Sequence, residues 1–260
     1  MRGVKAKLKP SRLYQDLRIH TNEGGPDGRD MTNMHDLERR LAELKATINV
    51  CEARHERAAG SVALVAVSKG QPVGAIERAY AAGQRAFGEN YVREALIKMA
   101  ALAALPLEWH FIGPLQGNKT AEVAANFSWV HTVDRMRIAE RLSRQRPAGL
   151  PPLNVLIQVN VSGEASKHGI AAAALPALAA EVAALPHLRL RGLMTLPAPA
   201  TDFGAQRAAF ALLAELARAS VVPLASLSMG SSNDFEAAIA EGATMVRLGT
   251  VLFGPRAESP

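Results

Sequence analysis

A lysine that ends an apolar strand is the first candidate for chemistry in this sequence. The segment VALVAVS, residues 62–68, is followed at once by Lys69. Burial beside apolar side chains disfavours a charged ammonium, so it lowers the pKa of a lysine and raises the fraction of free amine, the form that attacks an aldehyde. Alternatively, Lys69 lies one residue past the strand and reaches solvent. The position alone leaves both interpretations open.

The segment SMGSSND predicts a place for a phosphate. Gly230, Ser231 and Ser232 come directly before a predicted helix that begins near Asn233. The first N–H groups of a helix have no partner within the helix, and neighbouring hydroxyl groups add further donors, so such a turn suits an anion. A helix cap that holds no ligand is the alternative.

The segment MVRLGTVLF, residues 245–253, is predicted as the last strand and carries a second set of polar residues. Arg247, Gly249 and Thr250 lie close together in it, and a glycine permits close approach of the backbone to a ligand. In (β/α)8 barrels the loops after the last two strands are a frequent phosphate site. A phosphate site that faces Lys69 favours a phosphate-bearing aldehyde as the ligand.

Other predicted strands also end in side chains that a ligand would contact. FGENY places Glu89 and Asn90 at one strand end, and GLMTLP places Met194 at another, where it packs either on a flat ring or in the core. His110 lies within EWHF, where a lone histidine is commonly a satisfied core residue. Asn118 precedes KTAEVA and is predicted as a helix N-cap.

A scaffold that brings these strand ends together is also predicted. Short apolar strands alternate with Ala-rich helices, the order expected for a closed parallel barrel. The fold class is therefore α/β, a single (β/α)8 TIM barrel. An open doubly wound sheet is the alternative, although the first turn, SKGQP, lacks the GxGxxG phosphate pattern. The predicted strands are VALVAVS, RAFGE, EWHFIG, WVHTV, LNVLIQVNV, LRLRGLMTL, LASLSM and MVRLGTVLF, and the helices begin near Pro72, Tyr91, Asn118, Arg135, Ile170, Asp202 and Asn233.

An extra helix is predicted before the barrel. Leu37, Leu41, Leu44 and Ile48 repeat at helical spacing and form one apolar face. We expect ordered structure to begin near Met34.

The expected domain division is an N-terminal extension at residues 1–33, the barrel at 34–256 and a short tail at 257–260. The extension contains NEGGPDGRD, which is rich in turn formers and has no apolar periodicity, so it is predicted to be disordered. Alternatively, translation begins at Met31 or Met34.

Composition argues against several classes of function. The chain of 260 residues has a net charge of +6, but residues 1–30 hold seven Lys/Arg against four Asp/Glu, so the remainder is nearly neutral and no nucleic-acid surface is expected. No apolar run is long enough for a transmembrane helix. The single cysteine, Cys51, excludes an internal disulfide and fits a reducing cytoplasm. No metal is expected, because HExxH and tight His/Asp clusters are missing from the sequence.

Seven segments, in order, resemble the signature blocks of a known family. They are AVSKGQP, FGENYVREA, WHFIGPLQGNK, VNVSGEASKHG, GLMTLP, SMGSSNDFEAAI and MVRLGTVLFG, and they span nearly the whole chain after the extension. The sequence is identified as a member of the pyridoxal phosphate homeostasis protein family, also described as proline synthase co-transcribed proteins. The resemblance implies a barrel like the N-terminal domain of bacterial alanine racemase, with pyridoxal 5′-phosphate (PLP) as cofactor.

The resemblance also implies which residues hold the cofactor. Lys69 would form a Schiff base with the PLP aldehyde, and Arg247 would face the pyridine nitrogen. Asn90, His110 and Met194 would lie around the ring. The residues implied to hold the phosphate are Ser231, Ser232, Gly249 and Thr250.

The sequence departs from the family pattern in two places. The family usually has methionine where Ser231 stands, which puts the fine geometry beside the phosphate in question. The extension before Met31 has no counterpart in the pattern.

Arg247 also bears on whether the protein is an enzyme. Arginine is cationic at neutral pH, which disfavours a protonated pyridine nitrogen and weakens PLP as an electron sink. The resemblance implies that racemases of this class add an acid–base residue from another domain, whereas only PRAESP follows the last strand here. We therefore expect no catalytic residue and a carrier or buffer of PLP, with Lys69 as a reversible tether. The alternatives are a PLP-dependent amino-acid racemase or lyase, in which Lys69 is catalytic, and a sugar-phosphate isomerase or aldolase that uses Lys69 without a cofactor.

The expected partners follow from this function. They are PLP itself and the apo forms of PLP-dependent enzymes that would receive it. We expect no nucleic-acid or membrane partner, a cytoplasmic location and a monomeric state.

Overall fold

The computed structural model describes the backbone of residues 29–164 and 167–254, and side chains from Asp36 onward. The tail predicted at 257–260 and most of the extension predicted at 1–33 lie outside the described residues.

The described residues form a closed barrel of eight parallel strands, which follow one another around the barrel in chain order. The first strand pairs with the last, so that Val65 lies beside Arg247. The predicted TIM barrel is confirmed. The strands are β1 (Ala63–Val67), β2 (Ala86–Glu89), β3 (Glu108–Phe111), β4 (Trp129–Val133), β5 (Leu153–Gln158), β6 (Leu188–Met194), β7 (Ser226–Ser228) and β8 (Met245–Leu248).

Helices connect the strands and cover the outside of the barrel. Pro72, Tyr91, Arg135 and Asp202 each stand immediately before a helix, which agrees with the predicted starts, and the Asp202 carboxylate accepts a hydrogen bond from the third residue beyond it. The helices are α1 (Arg29–Arg54), α2 (Val73–Ala81), α3 (Val92–Ala101), α4 (Thr120–Asn126), α5 (Met136–Gln145), α6 (Leu175–Ala183), α7 (Phe203–Ala219), α8 (Phe235–Ala240) and α9 (Thr250–Phe253).

The end of the last strand was predicted wrongly. β8 stops at Leu248, and the residues TVLF, predicted as strand, form the short helix α9. The Gly249 carbonyl accepts a hydrogen bond of 2.9 Å from the N–H of Phe253. The turn buries Leu252 against the core, so packing of an apolar residue overrides the β-branched pattern.

Three predicted helix starts are displaced by turns. The helix predicted near Ile170 begins at Leu175, after the 3₁₀ turn Ala172–Ala174. Asn118 was predicted as an N-cap, but it lies inside a 3₁₀ turn, Gly117–Lys119, that leads into α4. The Thr120 hydroxyl donates to the Gly117 carbonyl at 2.8 Å and tightens this turn. The helix predicted near Asn233 begins two residues later, at Phe235.

Helix α1 packs along the outside of the barrel. Leu37, Leu41, Leu44 and Ile48 are each at most 5% exposed, which confirms the predicted apolar face. Burial of each such side chain stabilises the fold by about 1.5–3 kcal/mol. The helix contacts α2, α8 and α9, so it connects the first and last units of the barrel. It begins at Arg29, earlier than the predicted start near Met34.

Glu52 connects α1 to the start of β1. Its carboxylate accepts hydrogen bonds from the N–H of Val62 at 2.7 Å and from the N–H of Gly60 at 2.9 Å. The connection therefore has a fixed path into the strand that leads to Lys69.

A helix that crosses a membrane has to be both long and apolar. Within 29–164 and 167–254, no helix combines these two properties.

Candidate functional site

The carboxyl ends of the eight strands open at one end of the barrel, which we call the mouth. In barrels of this kind, side chains that follow different strands meet there. Most of the residues predicted for the site lie at or just beyond a strand end. These are Lys69 after β1, Asn90 after β2, Met194 at the end of β6, Ser231 and Ser232 after β7, and Gly249 and Thr250 after β8.

Lys69 lies just beyond the wall of the barrel. β1 ends at Val67, and the N–H of the buried Ser68 still donates to the Gly88 carbonyl at 3.0 Å, as in a continuing strand. The Lys69 side chain is half-buried. This position lies between the two predicted alternatives of a desolvated amine and a solvent-exposed one.

Arg247 lies inside the barrel, and its guanidinium group is fixed by the protein. One terminal nitrogen donates to the Ser228 hydroxyl at 2.7 Å and the other to the Thr195 carbonyl at 2.9 Å. Burial lowers the pKa of Arg247 to about 10, while the charge of Asp234 opposes this shift. The group therefore remains cationic at neutral pH.

A chain of polar side chains runs from Arg247 across the barrel interior, and we call it the histidine chain. It consists of Glu108, His110, His131, Ser228 and Arg247. The His131 Nδ1 lies 2.8 Å from the Ser228 hydroxyl, and its Nε2 lies 2.9 Å from the His110 Nδ1. The His110 Nε2 in turn lies 2.8 Å from Glu108 Oε1, although outside hydrogen-bond geometry.

One arrangement of protons satisfies the hydrogen bonds that join Ser228, His131 and His110. Burial lowers the pKa of His131 well below its ordinary value and also lowers the pKa of His110, so both rings are neutral. If Ser228 donates to Nδ1 of His131, each ring carries its proton on Nε2. The chain then separates the cation of Arg247 from the anion of Glu108 by neutral, polarised groups.

The turn after β7 requires a glycine and a carboxylate. Gly230 has φ +94°, and a Cβ there would lie 2.7 Å from the Cβ of Ala238. The N–H and the hydroxyl of Ser231 both donate to Asp234 Oδ1, at 2.6 and 2.8 Å. Ser231 therefore directs both donors at the start of α8.

The turn after β8 comes close to the end of β1. A Cβ on Gly249 would lie 3.1 Å from the Val67 carbonyl oxygen. Thr250 follows Gly249 and is exposed at the mouth. A larger residue than glycine would push this turn away from the end of β1.

The three residues predicted around the ring have different environments. Asn90 follows β2, and its Oδ1 is buried with no hydrogen-bond partner. Met194 is buried and lies beside Ser228 in the register of the strands. His110 is not at the mouth, because it lies within β3 and stacks on Trp129 with ring centroids 5.5 Å apart. It belongs to the histidine chain.

Comparison with known proteins identifies the family. The family described as "Alanine racemase, N-terminal domain" matches residues 40–257. The pyridoxal phosphate homeostasis protein of Pseudomonas aeruginosa is 57% identical over 223 residues, which cover 86% of this chain and 97% of that protein. The protein of the same name from Escherichia coli K12 is 50% identical over 236 residues, covering 86% and 98%. This chain belongs to the pyridoxal phosphate homeostasis protein family. The predicted resemblance is confirmed.

Solved structures agree with the family assignment. PipY of Synechococcus elongatus PCC7942, solved with PLP bound, is 38% identical with a TM-score of 0.72, covering 84% of this chain and 100% of PipY. The same protein without PLP gives 40% identity and a TM-score of 0.74. The alanine racemase of Corynebacterium glutamicum is 18% identical with a TM-score of 0.63, covering 87% of this chain and 62% of that enzyme. That last likeness concerns the fold alone.

The site of this chain offers groups that are complementary to a phosphorylated aldehyde. It combines a half-buried lysine, a fixed buried cation and two glycine-containing turns with adjacent hydroxyl groups. The Oδ1 atom of Asn90 is buried without a hydrogen-bond partner. Buried polar atoms are normally paired, so this atom is a further indication of a ligand-binding site. Among the described residues, no group of three His, Cys, Asp or Glu side chains is placed to hold a metal ion.

Sequence reasoning missed several polar residues of this family member. His131 and Ser228 support Arg247, and both lie within predicted strands, where they look like ordinary core positions. Lys98 is 4% exposed and contacts Glu89. A signal for Lys98 was present, because it follows Val92 and Ala95 at helical spacing on the buried face of α3. A lysine on an apolar face needs a buried partner.

Proposed function

We propose that this protein binds PLP at the mouth of the barrel through Lys69 and serves intracellular PLP homeostasis as a carrier or buffer of the cofactor. One observation carries the proposal: Lys69 and the turns after β7 and β8 share the mouth of the barrel, with Arg247 fixed inside it. The relative PipY, at 38% identity, has a structure with PLP bound, and this supports the same ligand here.

Each group of the cofactor has a matching group in this site. PLP supplies an electrophilic aldehyde carbon, and the Lys69 amine is the nucleophile that would bond to it. Ser232, Gly249 and Thr250 would hold the phosphate. Ser231 is a weaker candidate than the sequence implied, because its two donors are already bonded to Asp234.

The remaining side of the cofactor would face the barrel interior. Arg247 would lie at the pyridine nitrogen, with Asn90 and Met194 beside the ring. His110 would act on the ring only through Arg247, since His131 and Ser228 lie between them.

The charge of Arg247 favours storage of the cofactor over chemistry on a substrate. A fixed cation beside the pyridine nitrogen disfavours protonation of that nitrogen, so the ring withdraws fewer electrons from a bound amino acid. The curated relatives are named homeostasis proteins, which agrees with this role. We propose that apo forms of PLP-dependent enzymes in the cytoplasm receive the cofactor, and that the carrier acts as a monomer.

Uptake of PLP by the purified protein tests the binding proposal. We expect a visible absorption band after addition of PLP, and loss of that band after borohydride reduction. Lys69→Ala should abolish the reducible band. The matched control is Lys45→Ala, because Lys45 lies on α1 and bonds to the exposed Gly83 carbonyl. A wild-type protein that takes up no PLP would contradict the proposal.

Transfer of the cofactor tests the carrier role. We expect the loaded protein to restore activity to an apo PLP-dependent enzyme at a protein concentration where free PLP is held low. Amino acids should be turned over far more slowly than about 1 per second, a slow rate for an enzyme. Racemisation or lysis at that rate or faster would favour the PLP-dependent enzyme instead.

A further inference from the structure

A buried lysine on a neighbouring helix bonds to the residue before Lys69 and to two carboxylates. Lys98 lies on α3, and its ammonium donates to the Ser68 carbonyl at 2.7 Å, to Glu89 Oε1 at 2.8 Å and to Glu94 Oε1 at 2.6 Å. These acceptors match the full number of N–H donors on a lysine ammonium. We call Glu89, Glu94 and Lys98 the Lys98 cluster.

The Lys98 cluster holds the main chain around Lys69 at two points. Before Lys69, the Ser68 carbonyl accepts from Lys98 and the Ser68 hydroxyl donates to Glu89 Oε1 at 2.6 Å. After Lys69, the N–H of Gly70 donates to Glu94 Oε1 at 2.6 Å. The peptide groups on both sides of Lys69 are therefore fixed to one ion cluster.

Stability alone does not account for burying these charges. Glu89 is fully buried and Lys98 is 4% exposed. Desolvation of such a pair commonly costs as much as its attraction returns, and apolar residues of similar size often serve stability equally well. Burial raises the pKa of Glu89, which the hydrogen bonds from Lys98 and Ser68 oppose. The second oxygen of Glu89 is buried without a hydrogen-bond partner. The carboxylate is therefore not placed where it would make the most hydrogen bonds, which indicates that its placement serves to position other groups.

We propose that Lys98, with Glu89 and Glu94, is a positioning residue that fixes the main chain at Lys69 and thereby sets how fast Lys69 bonds to PLP and releases it. The inference rests on the proposed function. In the bonding step the Lys69 nitrogen attacks the aldehyde carbon to form a C=N bond, and the aldehyde oxygen leaves as water with both amine protons. Release is the reverse addition of water.

Fixing the main chain matters because attack on a carbonyl depends on approach geometry. A misplacement of about 1 Å lowers such a rate by up to roughly a hundredfold. Lys69 has a long side chain with many rotamers, and a fixed backbone restricts where its amine can reach. The proposed phosphate contacts and Arg247 come from β7 and β8 and the turns after them, which contribute no residue to the Lys98 cluster. We therefore expect them to be kept when the cluster is altered.

The test compares two ligands in two variants. We would measure the rate of reducible bond formation with PLP, and the affinity for pyridoxine 5′-phosphate, which has the same ring and phosphate but no aldehyde. In Lys98→Met we expect the PLP bonding rate to fall about tenfold or more, with pyridoxine phosphate affinity within about twofold of wild type. Lys45→Met is the control, because it also removes a lysine bonded to a backbone carbonyl.

A milder variant keeps the test decisive if Lys98→Met does not fold. Glu94→Ala removes the acceptor of the Gly70 N–H and leaves the buried pair of Lys98 and Glu89 in place. We expect a smaller fall in bonding rate, and faster hydrogen exchange of the Gly70 amide without any ligand. Lys45→Met should change neither.

The outcomes separate this inference from the proposed function. Unchanged bonding rates in Glu94→Ala and in folded Lys98→Met overturn the positioning role while the function stands. Equal losses of bonding rate and pyridoxine phosphate affinity also overturn it, because they indicate a general loss of the site. Failure of the wild-type protein to bond PLP removes the proposed function itself.

Discussion

The Lys98 cluster and the histidine chain support the two basic residues of the site in different ways. Around Lys69, the bonds go to the main chain on either side of the residue. At Arg247, the bonds go to the guanidinium group itself. The amine of a residue that binds and releases a cofactor has to move, so support through the backbone would suit the proposed role of Lys69. A cation that sets the charge beside a ring has to stay in one place.

The two regions also arrange their charges differently. Lys98 touches both of its carboxylates, at 2.6 and 2.8 Å. Arg247 and Glu108 lie at opposite ends of the histidine chain, with neutral groups between them. Removing the Lys98 charge leaves the buried Glu89 carboxylate behind, whereas removing one neutral member of the histidine chain leaves unpaired dipoles. The loss in the free energy of unfolding should therefore be larger for the Lys98 cluster than for the histidine chain.

The largest expected effect is on folding stability in Lys98→Met. The variant leaves the buried Glu89 carboxylate without its cation, so we expect a loss of about 3–5 kcal/mol in the free energy of unfolding. Adding Glu89→Gln should recover most of this loss, because the remaining side chain is neutral. Urea unfolding of both variants provides the measurement. A loss below about 1 kcal/mol in the single variant would contradict the charge assignment.

Ser228→Ala should lower the free energy of unfolding less than Lys98→Met does. Its effects on PLP bonding rate and on pyridoxine phosphate affinity should be the reverse of those expected for Lys98→Met. It removes the partner of Arg247 and His131, so we expect a loss of about 1–3 kcal/mol in stability. Affinity for pyridoxine 5′-phosphate should fall, since Arg247 is less fixed, while the bonding rate of Lys69 at saturating PLP stays near wild type. Ser61→Ala, which loses a hydroxyl contact outside the barrel, is the control and should bind normally.

The pH dependence of stability tests whether His131 is neutral in the fold. Burial, and after it the nearby Arg247 cation, holds its pKa below the ordinary value. The unfolded chain therefore takes up this proton first, and stability falls as the pH drops below the ordinary histidine pKa of about 6.5. In His131→Gln we expect this fall to be smaller by about 1 kcal/mol over the next pH unit. Equal pH slopes in both proteins would mean that His131 takes up its proton as readily in the fold as in the unfolded chain, which would contradict a lowered pKa.

The smallest expected effect is that of Ser231→Met, the residue usual in the family. The variant loses one hydroxyl bond to Asp234 but retains the N–H bond, so stability should change by less than about 1 kcal/mol. We expect PLP affinity to fall less than in Ser232→Ala, measured by titration of the absorption band. A larger loss in Ser231→Met would show that its hydroxyl binds the phosphate after all.

The sequence predicted the scaffold better than the polar interior. The eight strands and the apolar face of α1 follow from local apolar periodicity, which lies within short segments of the sequence. The contact between His131 and Ser228 joins residues 97 positions apart, so it exists only once the barrel closes. No local pattern encodes it.

Local sequence patterns gave wrong predictions where side-chain packing competed with secondary-structure propensity. TVLF has the composition of a strand but forms α9, because Leu252 is buried by a helical turn. Asn118 has the type of an N-cap but lies in a 3₁₀ turn held by Thr120. For Lys98 the local pattern agrees with the structure. Its spacing from Val92 and Ala95 places it on the buried face of α3, whereas its partners are visible only in the folded protein.

The central claim is that Lys69 is the residue that carries PLP. The most direct measurement is the mass of the protein after loading with PLP and borohydride reduction, with the modified peptide sequenced. We expect one added reduced pyridoxyl phosphate group, located on Lys69. Modification at another lysine, or no added mass in a protein saturated with PLP, would contradict the account.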